Sequence, residues 1–108
     1  MLPVLNKYCQ LWLTCVDKAE ADKIAKVLLE KHLIVCAKQI PVGSDFLWKE
    51  KVDHNDEILL IMDSREDLFE KVESEVAKLH SYETFVLHAV SVVKVSSKAA
   101  KWMQDNLL

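Results

Sequence analysis

The hydrophobic periods of this 108-residue chain predict an α+β fold, and three observations carry the prediction. Residues 8–16 alternate apolar and polar side chains with period two, as a half-buried strand does. Two stretches, entered at Asp17 and at Ser64, open with capping residues and continue with apolar side chains three and four apart, the pattern of amphipathic helices. The other apolar runs lie between and after those helices, so the two halves of the chain repeat one logic.

In the first strand, Cys9, Leu11, Leu13 and Cys15 share one face, and Gln10, Trp12, Thr14 and Val16 the other. Asp17 and Glu20 then form a capping box, Asp17 accepting from first-turn amides while Glu20 reaches back. Ala21, Ile24, Ala25 and Leu28 place one apolar face on a helix that runs to about residue 31. Residues 33–40 are apolar and β-branched, Pro41-Val42-Gly43-Ser44 reads as a turn, and 46–53 is extended again, giving a second strand with a continuation, or a hairpin. His54-Asn55-Asp56 is turn chemistry, and 57–62 a buried strand. The cap at Ser64-Arg65-Glu66-Asp67 leads into Leu68, Val72, Val76 and Leu79 on a second helix. Residues 83–95 read as a long final strand, and Ser97 opens a short C-terminal helix carrying Trp102 and Met103. This order predicts a ferredoxin-like split βαβ sandwich, one domain over 1–108.

In such a sandwich two helices cover one sheet face, and the strands should alternate if the other face met water. They do not. Residues 58–62 are apolar throughout, and the last strand offers Phe85, Leu87, Ala89 and Val93 on one side against Val86, His88, Val90 and Val92 on the other. With no sequence left for a further layer, a second copy of the chain is the expected cover.

Composition narrows the function. Half of the residues are hydrophobic (51%) and only 29% charged, which excludes a disordered chain. Fourteen basic residues scattered among seventeen acidic ones, for a net charge of -3, lack the basic stripe of a nucleic-acid binder. The start of the chain has no leader pattern, and no run approaches the ~20 apolar residues of a membrane span. Cys9, Cys15 and Cys36 are odd in number and sit in strand-like runs, which argues for free thiols in a reducing compartment, so the cytoplasm is the expected location. Phosphate chemistry of the acylphosphatase kind needs an amide-rich loop and a gripping arginine, but Gly43 is the only glycine and Arg65 falls in a helix cap. The 57–62 strand has no aromatic residue for stacking on RNA.

Several segments together resemble the CutA family: Leu13-Thr14-Cys15 before a capped helix, Val35-Cys36, Pro41 followed by Trp48-Lys49-Glu50-Lys51-Val52, and Leu79-His80-Ser81-Tyr82-Glu83. The resemblance spans about 9–103. It implies a homotrimer of ferredoxin-like subunits, each with a long hairpin arm packed on its neighbours, and a role in divalent cation tolerance without catalysis. It further implies inter-subunit clefts at Cys36, Trp48, Lys51, His80, Tyr82 and Glu83, where copper or another divalent cation binds. The departures are Lys38 in place of asparagine, Phe46 in place of tyrosine, Ile61-Met62-Asp63 in place of Ile-Lys-Thr, and a His80–Val86 segment without the usual prolines and second glutamate. They predict weak metal binding or none.

Chemically, Cys36 and His80 offer thiolate and imidazole to a soft or borderline metal, while Cys36 equally suits plain packing. Cys15 and Cys9 read as core. Tyr82 and Glu83 beside His80 suit a proton-handling set, and Glu83 equally suits an ion pair with Lys51 at the subunit boundary. His32 and His54 read as surface residues and His88 as a core histidine. The alternative function is a PII-like trimer that binds a small ligand or a protein partner and has lost the metal site.

Overall fold

A computed structural model describes residues 7–108. Met1–Asn6, read above for a leader, lie outside the described residues. The elements are β1 (Tyr8–Cys15), α1 (Lys18–Glu30), β2 (Cys36–Trp48), β3 (Lys51–Arg65), a 3₁₀ turn (Glu66–Leu68), α2 (Phe69–Leu79), β4 (Leu87–Ser91) and α3 (Ser97–Asn106). They build one four-stranded antiparallel sheet in the order β2-β3-β1-β4.

The alternation of β1 is realised residue by residue. Cys9, Leu11, Leu13 and Cys15 are fully buried, opposite Ser64, Met62, Leu60 and Ile58 of β3. That face packs on Ala21, Ile24, Ala25 and Leu28 of α1 and on Leu68, Val72 and Val76 around α2, forming the core that Met103 and Leu107 complete. The cap of α1 forms as expected: the Glu20 amide donates to Asp17 Oδ1 at 2.9 Å, and Glu20 Oε1 accepts from the Val16 amide at 3.0 Å. On the opposite face Gln10, Trp12, Thr14, Leu59 and Ile61 are only half covered.

Several expectations are corrected. Pro41–Ser44 is no turn but the middle of β2, in register with Ile58 to Asn55 of β3. Proline is admitted because β2 is an edge strand and needs no amide on its free side. His54-Asn55-Asp56 likewise lies within β3, opposite Asp45, Ser44 and Gly43. The reversal is at Lys49-Glu50, whose φ of 50° and 67° is the left-handed pair a two-residue hairpin loop demands. Ser64 does not cap α2; it is a buried β3 residue whose hydroxyl donates to the Leu33 carbonyl at 2.7 Å. The helix is entered through the 3₁₀ turn, without a side-chain cap.

The last strand is also shorter than 83–95. It pairs with β1 from Leu87 opposite Leu13 to Ser91 opposite Cys9, and the Val92 amide makes a final bond to the Tyr8 carbonyl at 3.2 Å, where β1 begins. Among the described residues β1 begins at Tyr8, so β4 finds no further partner there. His88, expected in the core, is exposed on β4 opposite Trp12.

β3 is fifteen residues long and β1 eight, so beyond Ile58 the β2–β3 hairpin leaves the sheet as an arm, and the molecule measures 52 × 25 × 23 Å. Leu47 (77% exposed), Trp48 (53%) and Val52 (77%) crowd its tip. Replacing Lys49-Glu50 by Asn-Gly, which occupies left-handed positions with less strain, should raise stability by ~1 kcal/mol. Denaturant unfolding of both proteins checks this, and an unchanged or lowered midpoint would refute it.

Candidate functional site

The segment after α2 is held by side chains rather than by a strand ladder. The His80 side chain is wholly buried. Its Nε2–H donates to the Thr14 carbonyl at 2.8 Å and its Nδ1 accepts the Tyr82 amide at 3.0 Å, an arrangement that fixes one neutral tautomer. The ring stacks on Phe85 with centroids 5.3 Å apart and lies 4.9 Å from the Tyr82 ring. Glu20 joins from α1: its Oε2 accepts the Ser81 amide at 2.8 Å, and its Oε1 sits 3.6 Å from His80 Nε2. Burial pushes the Glu20 carboxyl up, but bonds from Ser81 and Val16 outweigh it and hold the group below its usual range.

Tyr82 extends this network to the arm. Its hydroxyl donates to Glu57 Oε2 at 2.6 Å, and Glu57 is only 7% exposed at the arm's base. Burial, reinforced by the Glu57 carboxylate, pushes the phenol up to about 12, so Tyr82 is a committed donor at neutral pH. A shallow cleft of about 440 Å³ opens beside Glu57, between the β1–α1 junction and the arm, walled by Val16, Pro41, Val42 and Ile58.

The residues singled out from sequence fall in three places within one chain. His80 and Tyr82 belong to the network just described, with the exposed Glu83 next to them in the loop, not at the head of a strand. Cys36 opens β2 opposite Asp63, whereas His80 meets β1 at Thr14, which pairs with Leu59. The two are therefore offset by four residues along β3, about 13 Å at ~3.3 Å per residue, and lie on opposite sides of that strand. Trp48 and Lys51 face each other across the hairpin turn, six residues of β3 beyond Glu57.

Cys36 has a partner the sequence did not announce. Lys38 Nζ lies 3.6 Å from its Sγ and 3.6 Å from Asp63 Oδ2, and these two groups, Asp63 first, push the Lys38 ammonium up. Lys38 thus places a cation beside the thiol.

The one tight donor cluster among the described residues is different: Cys15 Sγ, Glu20 and His80 offer ligand atoms within 4.8 Å of one another. In this structure its donors are otherwise engaged. His80 has spent both nitrogens, and burial, then the Glu20 charge, pushes the Cys15 thiol up to about 12. Cys9 is pushed up to about 11, again mainly by burial, so both β1 thiols are the inert core residues expected. The capping-box Glu20 was the available signal for this cluster, since its second oxygen had no assigned partner.

The profile of the family described as CutA1 divalent ion tolerance protein matches residues 9–106. The chain belongs to the CutA family. It is 31% identical over 97 residues to the divalent-cation tolerance protein CutA of Archaeoglobus fulgidus, covering 90% of this chain and 95% of that one. Human protein CutA is 27% identical over 95 residues, 87% of this chain and 53% of the human protein. Among solved structures, the periplasmic divalent cation tolerance protein CutA of A. fulgidus superposes with a TM-score of 0.90 at 30% identity, over 92% of this chain and 97% of that one. CutA1 from Oryza sativa superposes at 0.92 with 22% identity, over 95% of each chain, a likeness of fold. No helix among the described residues is long and apolar enough to cross a membrane.

Tyr82→Phe should cost ~1.5–3 kcal/mol, the worth of a hydrogen bond to a charged group. Because the phenol ionises at about 12 in the fold and at ~10 in the unfolded chain, its contribution is complete below pH ~10 and declines as the pH climbs through about 12. Phenolate absorbance of wild type minus Tyr82→Phe checks the assignment; a difference step at the ordinary tyrosine value would refute it.

Proposed function

We propose that the protein works as a homotrimer of ferredoxin-like subunits serving divalent cation tolerance in the cytoplasm, without a catalytic cycle. The observation that carries the trimer is the arm: Leu47, Trp48 and Val52 are exposed at its tip, and the helix-free sheet face with Trp12, Leu59 and Ile61 is half open. Monomeric soluble proteins rarely leave such apolar surface uncovered. Strand order β2-β3-β1-β4 with two helices on one face supports the ferredoxin-like reading. Names of the relatives, divalent-cation tolerance protein among them, support the role.

In this reading the clefts assemble from neighbouring subunits, with Cys36 and Lys38 on one side and the His80–Glu83 segment with Trp48 and Lys51 of an arm on the other. Copper is the ion suited to the Cys36 thiolate. His80 can serve it only by giving up the Thr14 bond, which accords with weak binding of at most one ion per subunit. The engaged nitrogens of His80 and the cleft beside Glu57 favour a second reading, a PII-like trimer that takes a small ligand or a protein partner.

Native mass spectrometry should give a trimer, and Trp48→Ala should shift it toward monomer while lowering Tm. A monomeric wild type would end the proposal, and a lower Tm with the trimer intact would assign Trp48 to the subunit alone. Cu(I) titration separates the two readings. Binding lost in Cys36→Ser supports a metal role, and binding unchanged in that variant removes the site from Cys36.

A further inference from the structure

The arm contains a second constellation that the cleft does not use. His54 on β3 lies directly across from Asp45 on β2, and its ring sits between two carboxylates: Nδ1 is 2.6 Å from Asp45 Oδ1, and Nε2 is 3.2 Å from Asp56 Oδ1. A carboxylate only accepts, so both contacts are hydrogen bonds only when both ring nitrogens carry protons. Neutral imidazole has a single N–H, and one of its two nitrogens would then turn a lone pair toward an anion. The geometry is therefore that of an imidazolium, although all three side chains are more than half exposed.

The backbone beneath the ring is shaped to it. Gly43 is the chain's only glycine, and its φ is not positive, so no turn requires it. A Cβ there would come 3.1 Å from His54 Cε1, tighter than ordinary contact, so glycine leaves room for the ring between its two acids. This accounts for a glycine in mid-strand, where it normally weakens pairing.

We propose that His54 is a pH-sensitive clamp on the arm: as imidazolium it ties β2 to β3 through Asp45 and Asp56, and as neutral imidazole it releases one of them. Among the described residues the charged groups set around it are Asp45 from β2, and Asp56 and Asp53 from β3, the last accepting the His54 amide at 2.8 Å. Hydrogen bonds donated by the ring to Asp45 and then to Asp56 hold the imidazole above its ordinary value. The clamp is thus fully closed below the reference of ~6.5 and opens as pH rises through the higher folded value. Between Gly43 and the turn lie Leu47 and Trp48, so the protonation state of His54 governs how firmly the apolar tip is presented.

The test is a proton NMR titration of the His54 Cε1 resonance in the intact protein, assigned by its loss in His54→Gln. The midpoint should exceed ~6.5, and it should fall in Asp45→Asn and in Gly43→Ala, which displaces the ring without touching a charge. Amide exchange over residues 43–56, corrected for intrinsic rates, should rise about two- to fivefold across the midpoint, the range exposed ion pairs support. In His54→Gln it should stay flat. A midpoint at or below the reference, a midpoint indifferent to Asp45→Asn, or flat exchange in the wild type would overturn the clamp.

Discussion

The antiparallel pairing of β1 with β3 is the constraint on which the rest depends. Its register runs unbroken from Tyr8 opposite Arg65 to Cys15 opposite Ile58. That register sends Leu11, Leu13, Leu60 and Met62 under the helices and leaves Trp12, Leu59 and Ile61 on the other face. Because side chains alternate with period two, a slip by one residue would exchange the two sets and expose the core. The same ladder places the Thr14 carbonyl where His80 can reach it, and it ends at Cys15 while β3 continues. The arm is the consequence of that difference in length.

The loop that follows α2 then ties three parts of the chain together. His80 reaches the end of β1, Ser81 reaches Glu20 on α1, and Tyr82 reaches Glu57 at the foot of the arm. These bonds serve polar groups that are largely buried, where leaving one unmade costs ~1–3 kcal/mol. No buried side-chain polar atom among the described residues lacks a partner. The loop is therefore shaped by satisfaction of donors and acceptors, and the imidazole that a metal reading wants as a ligand is the residue most deeply committed to that structure.

Legibility in the sequence followed the range of the interaction. The buried face of β1 and the core faces of α1 and α2 depend on spacing along a few residues, and the alternation of Cys9 to Cys15 and the Asp17–Glu20 box displayed them directly. The hairpin turn was not legible, because Lys49-Glu50 has none of the usual turn residues while Pro41 and Gly43 do. Proline sits on an edge strand and glycine under the His54 ring, so each answers to a neighbour across the hairpin and not to local chain reversal. The length of β4 was set by where β1 starts, and its own apolar run continues past that point. At the candidate site, the likeness to a family identified His80 and Tyr82, but their partners, Thr14 and Glu57, lie 66 and 25 residues away in the chain.

An arm of this kind cannot account for its own order. A two-stranded hairpin is marginal in water, and beyond Ile58 β2 and β3 pair only with each other among the described residues. Exposed edges of that length invite indiscriminate pairing unless charges guard them. Here Asp45, Asp53, Asp56, Lys49, Glu50 and Lys51 supply both signs around Leu47, Trp48 and Val52. Charge on the flanks discourages casual strand addition, while the apolar tip rewards a surface shaped to receive it. The β-ladder to the sheet, the Tyr82–Glu57 bond at the foot and the His54 contacts midway hold the arm's direction. What they leave uncovered is the tip, and a tip of one tryptophan, one leucine and one valine is selective only when the arm arrives already ordered, since the entropy of ordering it would otherwise oppose the contact.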